Sequence, residues 1–390
     1  MNDGGASAKR AAVLRKAAAI SQYGGAAFEP LEPRQLLAGT PISSGVTQSG
    51  QLAAGQQATY TINVPAQGTL EVVMGATSGT LRPEIDLYGP DSMLFGQPAV
   101  SDKAGGGTRA AFGTLSAGVY TIVAKDVTGA SSGGFNLAAF VAPGAQGTDP
   151  QGGPIASGQT LSGQIAGNLH VYTIDAAAGA PILVAMGATG GNLMPAIEIY
   201  GPAGQTLDFN TTVTPGGGTV NSTTAPSAGT YFIVARDETV DNTGSFNIAA
   251  VVLPGPQNDP MGGAIANGQT RPGTINGNLH VYTFNAAAGG TIDVEAITTS
   301  GNLRPQVLLY DQAGNSLNPV PQGLNQQTEF PRRTITAPSS GTYFAVVESF
   351  VGDTAGGYNF KASYVPGPTT PPPGSIAGTV NRDLTNGKVG

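Results

Sequence analysis

The segment AGVYTIVAKD at residues 117–126 recurs as AGTYFIVARD at 228–237 and as SGTYFAVVE at 340–348. Each copy joins a glycine turn to a tyrosine and then to an apolar strand that closes on an acidic residue. The copies lie about 110 residues apart, which is the length of one small domain rather than of a solenoid repeat. This segment, called the signature strand below, therefore predicts three copies of one domain.

Alternating apolar and polar residues surround the signature strand in each copy. In the second copy the apolar members form five groups, namely Tyr172/Ile174/Ala176, Ile182/Val184/Met186, Ile197/Ile199, Tyr231/Ile233/Ala235 and Phe246/Ile248/Ala250. A period of two, interrupted by glycine turns, is typical of short antiparallel strands with one apolar face, and the opposite face here is rich in threonine and asparagine. We therefore expect an all-β chain of three tandem antiparallel β-sandwich domains with a jelly-roll-like arrangement, which follows a short basic, partly helical N-terminal segment.

Spacers rich in proline and glycine separate the three copies. Residues 143–150 and 254–260 have the composition of short, fairly stiff linkers, and the prolines at 371–373 favour an extended polyproline conformation. Residues 376–380 have the pattern of a strand that either opens a further domain or belongs to a frayed tail. The predicted division is an N-terminal helix and sorting motif (1–41), repeat 1 (42–142), repeat 2 (154–253), repeat 3 (264–365), and a proline-rich linker with the candidate start of a further domain (366–390).

The composition argues against several classes of function. Charged residues make up only 11% of the chain, and the net charge of −7 divides into +2 over residues 1–37 and −9 over the remainder. An acidic body lacks the clustered lysines and arginines that neutralise phosphates, so nucleic acid is not an expected partner. The absence of cysteine excludes disulfides, thiolate metal sites and cysteine nucleophiles. No run of about 18 apolar residues is present, so no transmembrane helix is expected.

The first 41 residues differ from the rest of the chain. Residues 6–20 are basic, alanine-rich and free of glycine and proline, which favours a helix, but their apolar runs are too short for a secretory signal peptide. The following segment, FEPLEPRQLLA at 28–38, resembles the Leu-Glu-Pro-Arg-x-Leu-Leu motif found near the N-terminus of many large planctomycete proteins. This resemblance implies a sorting or export signal, and hence a secreted or cell-surface location in a bacterial envelope. The matching residues are Leu31, Glu32, Pro33, Arg34, Leu36 and Leu37.

The order of features within each copy resembles a known domain family. A glycine-bounded turn, a tyrosine strand and an apolar strand lead to a Leu-x-Pro segment at 81–90, 193–202 and 303–312, before the signature strand and a closing aromatic strand. This order is similar to that of the bacterial pre-peptidase C-terminal domain over nearly all of residues 42–365. The resemblance implies a small jelly-roll-like sandwich appended to secreted enzymes and surface proteins. In some members loop acids serve calcium, whereas the matching loops here read GNLH at 167–170 and 277–280, and QQAT at 56–59.

Three acidic residues are the candidate metal ligands. Asp126, Asp237 and Glu348 end the signature strand in the three copies, where a carboxylate together with loop carbonyls is a suitable calcium ligand. Capping of the strand end is the alternative, because a lone carboxylate without a second charged oxygen donor binds calcium weakly. We therefore expect no cofactor, with calcium at these acids as the one candidate.

The two histidines of the chain occupy equivalent positions. His170 and His280 each lie in the sequence Asn-Leu-His-Val-Tyr, and no partner for a metal or catalytic role is expected near either. The pattern predicts exposed or backbone-bonded strand histidines. Asp149 and Asp259, each of which precedes a proline in a spacer, are predicted to be turn formers.

No sequence motif indicates catalysis. A Gly-x-Ser-x-Gly elbow, a His-Glu-x-x-His helix and a P-loop are all absent, so we expect no catalytic residues and no enzymatic activity. Tryptophan, the usual stacking platform for sugars, is also absent. Tyr88, Tyr200 and Tyr310 are the candidates to replace it, with packing at a strand end as the alternative.

These patterns favour a non-catalytic exported protein of the cell surface or envelope, in which the β-sandwich array has a structural, adhesive or spacer role. Surface polymers or other envelope proteins are the expected partners. One alternative is a carbohydrate- or calcium-binding accessory module. A second alternative is an accessory region of a longer secreted hydrolase, whose catalytic part would follow Gly390.

Overall fold

The computed structural model describes residues 39–318 and 329–366, and both ranges are all-β. No helix is present among these residues, and their strands form six sheets arranged as three sandwiches. The predicted all-β, jelly-roll-like sandwich fold is therefore confirmed. The predicted N-terminal helix, the sorting motif and residues 367–390 lie outside the described residues.

The first sandwich is built from β1 (Thr40–Pro41), β2 (Thr47–Leu52), β3 (Gln57–Val64), β4 (Gly68–Ala76), β5 (Pro83–Tyr88), β6 (Ala99–Val100), β7 (Gly107–Leu115), β8 (Gly118–Asp126) and β9 (Gly133–Ala142). The signature strand β8 lies in a sheet ordered β1-β3-β8-β5-β6, called the signature sheet. The facing sheet, ordered β2-β9-β4-β7, is called the companion sheet. The short strand β1 runs parallel to β3, and the other pairs are antiparallel.

The second sandwich repeats this plan with β10 (Gly153–Pro154), β11 (Thr160–Ala166), β12 (Leu169–Ala176), β13 (Pro181–Gly191), β14 (Pro195–Tyr200), β15 (Thr206–Thr211), β16 (Gly218–Thr224), β17 (Gly229–Asp237) and β18 (Thr243–Val252). Its signature sheet is ordered β10-β12-β17-β14-β15. Its companion sheet is ordered β11-β18-β13-β16. Each strand of the first sandwich therefore has an equivalent strand at the same place in the second.

The third sandwich contains β19 (Gly263–Ala264), β20 (Thr270–Ile275), β21 (His280–Ala286), β22 (Thr291–Thr298), β23 (Pro305–Tyr310), β24 (Arg332–Thr336), β25 (Gly341–Ser349) and β26 (Gly356–Tyr364). Its signature sheet is ordered β19-β21-β25-β23. Its companion sheet is ordered β20-β26-β22-β24. The signature strand again lies at the centre of its sheet.

A tyrosine and a glycine explain why the sequence of the signature strand is so similar in the three copies. Its tyrosine is buried and donates a hydrogen bond to the carbonyl four residues earlier, as Tyr231 does to Ser227 at 2.6 Å. Its glycine has a φ of 153° at Gly229, a value that side chains rarely adopt. A Cβ there would also lie 2.7 Å from Cγ of Pro202, in the loop after β14. The turn therefore requires glycine.

A separate apolar core fills the space between the two sheets of each sandwich. The alternating residues of the second copy, among them Val184, Ile233 and Ile248, are fully buried in one cluster. Equivalent clusters occupy the first and third sandwiches. These side chains come from the positions that the period of two assigns to the apolar face.

The described residues from Thr40 onward form one compact unit. The outer face of each of the first two companion sheets packs against the outer face of the next signature sheet. The expectation of a polar outer face is therefore wrong at these two junctions, where Phe140 and Phe232, for example, are buried. The predicted repeat boundaries remain predictions. None of the described residues forms a helix with the length and hydropathy needed to cross a membrane.

Candidate functional site

A cluster of buried charged side chains lies at the junction between the first and second sandwiches. Glu71 on β4 and Arg109 on β7 come from the first companion sheet, whereas Glu198 and Tyr200 on β14 and Arg236 on β17 come from the second signature sheet. The exposed fraction is 0% for Glu71 and 2% for Arg236. Because strand neighbours alternate between faces, these polar side chains project away from the sandwich cores and meet across the junction.

The two arginines connect the two carboxylates. Arg109 Nε donates to Glu71 Oε1 at 2.6 Å, and its Nη2 donates to Glu198 Oε1. Arg236 Nη2 also donates to Glu198 Oε1, at 2.8 Å. Its Nε lies 3.0 Å from Glu71 Oε1 without the alignment of a hydrogen bond. The Tyr200 hydroxyl donates to Glu198 Oε2 and lies 3.3 Å from Glu71 Oε2.

The charges in this cluster stabilise one another. Burial alone would raise the pKa of Glu198, but Arg109 and Arg236 hold it below its usual value. Burial alone would lower the pKa of Arg109, but Glu71 and Glu198 raise it. The two arginines and the two buried carboxylates therefore balance, and the partly exposed Glu238 lies 3.5 Å from Arg236 Nη1 at the edge of the cluster. Removal of one member of such a buried set leaves an uncompensated charge, which costs about 3–5 kcal/mol.

Apolar residues surround this charged cluster. Val73 and Phe140 of the first sandwich pack with Val171 and Phe232 of the second, and all four are buried. The Phe140 ring lies 4.8 Å from the Tyr200 ring between centroids. The first junction therefore combines an apolar contact with a fixed arrangement of charges.

The second junction has one buried carboxyl group among mainly apolar side chains. Leu183 and Val251 of the second sandwich pack with Phe344 and Val346 of the third. Glu348 lies on the same face of β25 as Phe344 and Val346, and its exposed fraction is 6%. Its carboxyl group has no hydrogen bond to any described residue, and burial raises its pKa to about 8. The protonated form is therefore favoured at neutral pH.

Glycines bring the backbones into contact at both junctions. A Cβ built on Gly75 would lie 2.3 Å from the Cα of Gly167, and a Cβ on Gly187 would lie 2.5 Å from the Cα of Gly277. Real Cβ atoms do not approach other atoms this closely. The sandwiches therefore meet in a defined register at these points rather than through long side chains.

The two histidines are buried beside the junctions and bind the preceding spacer. His170 Nδ1 lies 2.7 Å from Asp149 Oδ2, and its Nε2 lies 2.9 Å from the carbonyl oxygen of Gln164. His280 makes the equivalent contacts with Asp259 at 3.0 Å and with the Thr274 carbonyl at 2.9 Å. The backbone-bonded part of the prediction agrees with this geometry. The expectation that no partner recurs nearby is wrong, because the spacer folds back onto β12 and β21.

Both ring nitrogens of each histidine lie within hydrogen-bond distance of polar partners. Nδ1 of each ring lies against the aspartate carboxylate, and Nε2 lies near a carbonyl oxygen and the side-chain amide of Asn168 or Asn278. Burial alone would raise the pKa of Asp259, but the contact with His280 lowers it by more than burial raises it, so the net shift is downward. Each Asp–His contact therefore ties a spacer to the following sandwich. The turn-forming role predicted for these aspartates is present as well, since Asp259 Oδ1 accepts from Met261 N.

The three predicted calcium ligands lie in three different sandwiches. Asp126 accepts hydrogen bonds from Arg82 N, Thr128 and Ser131 N, and Asp237 makes the corresponding contacts with Met194 N, Thr239 and Asn242. These bonds join the end of the signature strand to the start of its sheet neighbour, β5 or β14, and to the loop that follows the signature strand. Burial alone would raise the pKa of Asp126, but the bonds from Thr128, Arg82 and Ser131 lower it to about 2.

Glu348 does not correspond to these two aspartates. Asp126 pairs with Pro83 and Asp237 pairs with Pro195, whereas the residue that pairs with Pro305 is Ser349. Ser349 also makes the matching loop contact, to Thr354. The apparent alignment of three acids was therefore shifted by one residue in the third copy. Within residues 39–318 and 329–366, no group of three His, Cys, Asp or Glu side chains has an arrangement suited to a metal ion.

The tyrosine candidates separate into two kinds. Tyr200 and Tyr310 are buried at the two junctions, so their rings are packing elements there. Tyr88, on the first sandwich, is partly exposed. An open groove of about 510 Å³ lies beside the first junction, lined by Pro143, Pro154, Pro202, Phe232 and uncharged neighbours. It offers apolar contact without a converging set of polar groups.

Sequence reasoning missed the charged cluster of the first junction. Its signal was present, because charged residues are scarce in this chain and Glu71 and Glu198 interrupt strands that are otherwise apolar. A charge within such a strand has to face either water or a partner of opposite sign. The sequence did not show that a second sandwich covers this face.

Solved structures provide distant similarities. One, described as the triple jelly roll fold and turret assembly of an archaeal virus, is 10% identical over 83% of this chain and 89% of that chain, with a TM-score of 0.19. Another, of Sulfolobus turreted icosahedral virus, is 9% identical over 83% and 92%, with a TM-score of 0.17. The M60 catalytic domain of Clostridium perfringens ZmpB with two CBM51 domains is 7% identical over 53% and 34%, with a TM-score of 0.17.

No curated protein matches the chain. A family model does match, however, in the third sandwich, where the matched stretch includes β21, β22, β23 and the signature strand β25. The planctomycete sorting motif remains a prediction from the residues alone. Residues 279–349 match the bacterial pre-peptidase C-terminal domain, as the order of features in the sequence predicted.

Proposed function

We propose that this chain is a non-catalytic structural module of the bacterial cell surface or envelope, in which three β-sandwiches act as a rigid spacer. The observation that carries the proposal is the burial at both junctions, where apolar faces, glycine contacts and the charged cluster join the sandwiches. Domains linked only by polar contacts or by a free linker move relative to one another, whereas well-packed apolar interfaces restrict such motion. A restricted array suits the presentation of a partner at a set distance.

Two further observations support this proposal. The match to a pre-peptidase C-terminal domain is consistent with an accessory or structural role. The Leu-Glu-Pro-Arg-x-Leu-Leu resemblance at residues 31–37 supports export. Surface polymers or other envelope proteins are the partners that we propose, with no cofactor.

The spacer role is tested by a distance measurement in the full chain. Since the chain has no cysteine, the double variant Gln56→Cys and Asn359→Cys provides two unique spin-label sites, both exposed and in the first and third sandwiches. Pulsed electron paramagnetic resonance should give one narrow distance distribution. A broad distribution, like that of the same chain in denaturant, would contradict a rigid spacer.

The location is tested separately. Residues 1–41 fused to a reporter should direct it to the cell exterior in the native host. A fusion with Arg34 and Leu36 replaced by alanine is the matched control and should remain inside. Retention of both reporters in the cytosol would refute export by this segment.

A second candidate function is an accessory region of a longer secreted hydrolase, and the match of residues 279–349 to the bacterial pre-peptidase C-terminal domain favours it. In that case the genomic reading frame continues past Gly390 into a catalytic domain. A stop codon at that point would eliminate this candidate.

A further inference from the structure

Three similar sandwiches offer several similar faces, and only two pairings occur among the described residues. We call the outer face of a companion sheet the companion face, and the outer face of a signature sheet the signature face. The companion face of the first sandwich binds the signature face of the second, and the companion face of the second binds the signature face of the third. The strand registers identify the equivalent positions on each pair of faces. Glu71 and Leu183 are equivalent, since they pair with the equivalent residues Phe140 and Val251.

The same comparison applies to the signature faces. Arg236 pairs with Ala196, and Glu348 pairs with Gln306. Both partners directly follow the proline that begins their strand, so Arg236 and Glu348 occupy equivalent positions. The position that holds an arginine in the second sandwich therefore holds a glutamate in the third. The cation at this position lies opposite Glu71 in the first junction, and the acid lies against the apolar second junction.

Two incorrect pairings would disturb the charge balance found at the first junction. If the first companion face met the third signature face, Glu71 would lie opposite Glu348 instead of Arg236, so the buried cluster would lose one cation and gain a carboxyl group. If the second companion face met the second signature face of another copy, Arg236 would keep Glu198 but would lie opposite Leu183 instead of Glu71, so one of its carboxylate contacts would be lost. Like charges or unpaired charges in a buried interface strongly disfavour association.

We infer that Glu71, Arg236 and Glu348 determine which sandwich faces pair, so that the first companion face accepts only a signature face with a cation at the position of Arg236. The partner that this surface fits is thus a second sandwich of the same fold with a complementary charge, in the same chain or in another copy. This inference goes beyond the spacer role and does not depend on it.

The inference is tested by charge reversal in the full chain. Glu71→Arg gives the cluster three cations and one anion, and Arg236→Glu gives it three anions and one cation, whereas the double variant restores the balance. Each single variant should open the first junction, which is measured as a rise of about tenfold or more in protease cleavage within residues 143–152. The double variant should return cleavage close to the wild-type rate.

Mixing the two single variants separates pairing specificity from simple stability. After joint refolding, the companion face that carries Glu71→Arg in one copy is complementary to the signature face that carries Arg236→Glu in the other. The other two faces in such a dimer carry the wild-type residues, Glu71 in one copy and Arg236 in the other. A 1:1 exchanged dimer should therefore form in the mixture and should be absent from either variant alone, as measured by native mass spectrometry of isotope-labelled and unlabelled chains.

Lys125→Glu is the matched control. Lys125 is equivalent to Arg236, but it lies on the signature face of the first sandwich, away from both junctions. It should change neither the cleavage rate nor the state of association, and circular dichroism should show intact strands in all variants. Unchanged cleavage in both single variants, failure of the double variant to recover, or absence of the mixed dimer would each overturn the inference.

Discussion

At the scale of single residues, the electrostatic environment of a carboxyl group differs greatly along this chain. Glu198 lies between two arginines, which hold its pKa below the usual value despite its burial. Glu348 is equally enclosed but has no hydrogen bond to any described residue, and its pKa rises to about 8. The difference follows from what the neighbouring sandwich places opposite each group.

Glu348 predicts a loss of stability toward alkaline pH. The folded chain holds a proton on this group up to about pH 8, whereas the unfolded chain releases it near the ordinary glutamate value. The free energy of unfolding should therefore fall as the pH rises between about 4.5 and 8, by about 1.4 kcal/mol per unit, and then level off. Glu348→Gln should remove this slope in urea titrations, and Glu295→Gln, on an outer face, should retain it.

Asp259 predicts the opposite dependence at acidic pH. Its folded pKa is lowered by His280, so its contribution is present at neutral pH and is progressively lost as the pH falls below about 5. Asp259→Asn should reduce the free energy of unfolding at pH 7 by about 1–3 kcal/mol, because the buried His280 ring and Val281 N lose a charged hydrogen-bond acceptor. Asp91→Asn, in an exposed turn, is the control. Equal stability of the two variants would contradict a stabilising contact between Asp259 and His280.

At the scale of elements, the companion strands β4 and β13 have two functions at once. Their alternate residues fill the sandwich core, and the remaining residues form the junction with the next sandwich. Gly75 and Gly187 lie at the ends of these junction rows, where the next backbone comes into direct contact. A strand with both faces buried cannot show the simple alternation of a half-buried strand.

Gly187→Ala should therefore destabilise the second junction. Its added methyl group would lie 2.5 Å from the Cα of Gly277, and such overpacking costs about 1–3 kcal/mol. Gly113→Ala is the control, since a Cβ there has open space, and it should leave stability unchanged or slightly raised. Both values can be measured by chemical denaturation. Tolerance of alanine at Gly187 would show that the junction is looser than described.

At the scale of the whole molecule, the three cores are coupled through the two junctions. Each sandwich has its own apolar cluster, and two further clusters consist entirely of residues that bridge neighbouring sandwiches. Unfolding of one sandwich exposes the apolar face of its neighbour, so the sandwiches should lose structure together.

We accordingly expect a single main transition in calorimetry of the full chain. Phe140→Ala, which removes a fully buried ring from the first junction, should cost about 3–5 kcal/mol and separate an earlier transition from the main one. Val119→Ala, on an exposed face of the first sandwich, should change neither feature. Separate transitions in the wild-type chain would contradict this coupling.

The local pattern was sufficient for the fold because strand chemistry is local. The tyrosine and glycine of the signature strand make contacts four residues away or within the same sandwich, and these contacts recur in each copy. The candidate site was harder to predict, because its members are distant in sequence. Glu71 and Arg236, for example, meet only after two sandwiches have formed and docked.

The sequence by itself determined the all-β class, the three copies and the position of each signature strand, because a period of two and turn glycines act over a few residues. Only the tertiary structure decided which outer faces are buried and that each histidine contacts an aspartate of the preceding spacer. It also decided that Glu348 is equivalent to Arg236 rather than to Asp237. The physical reason is that the free energy of a charged or apolar side chain depends on what covers it. In this chain the cover is the neighbouring sandwich.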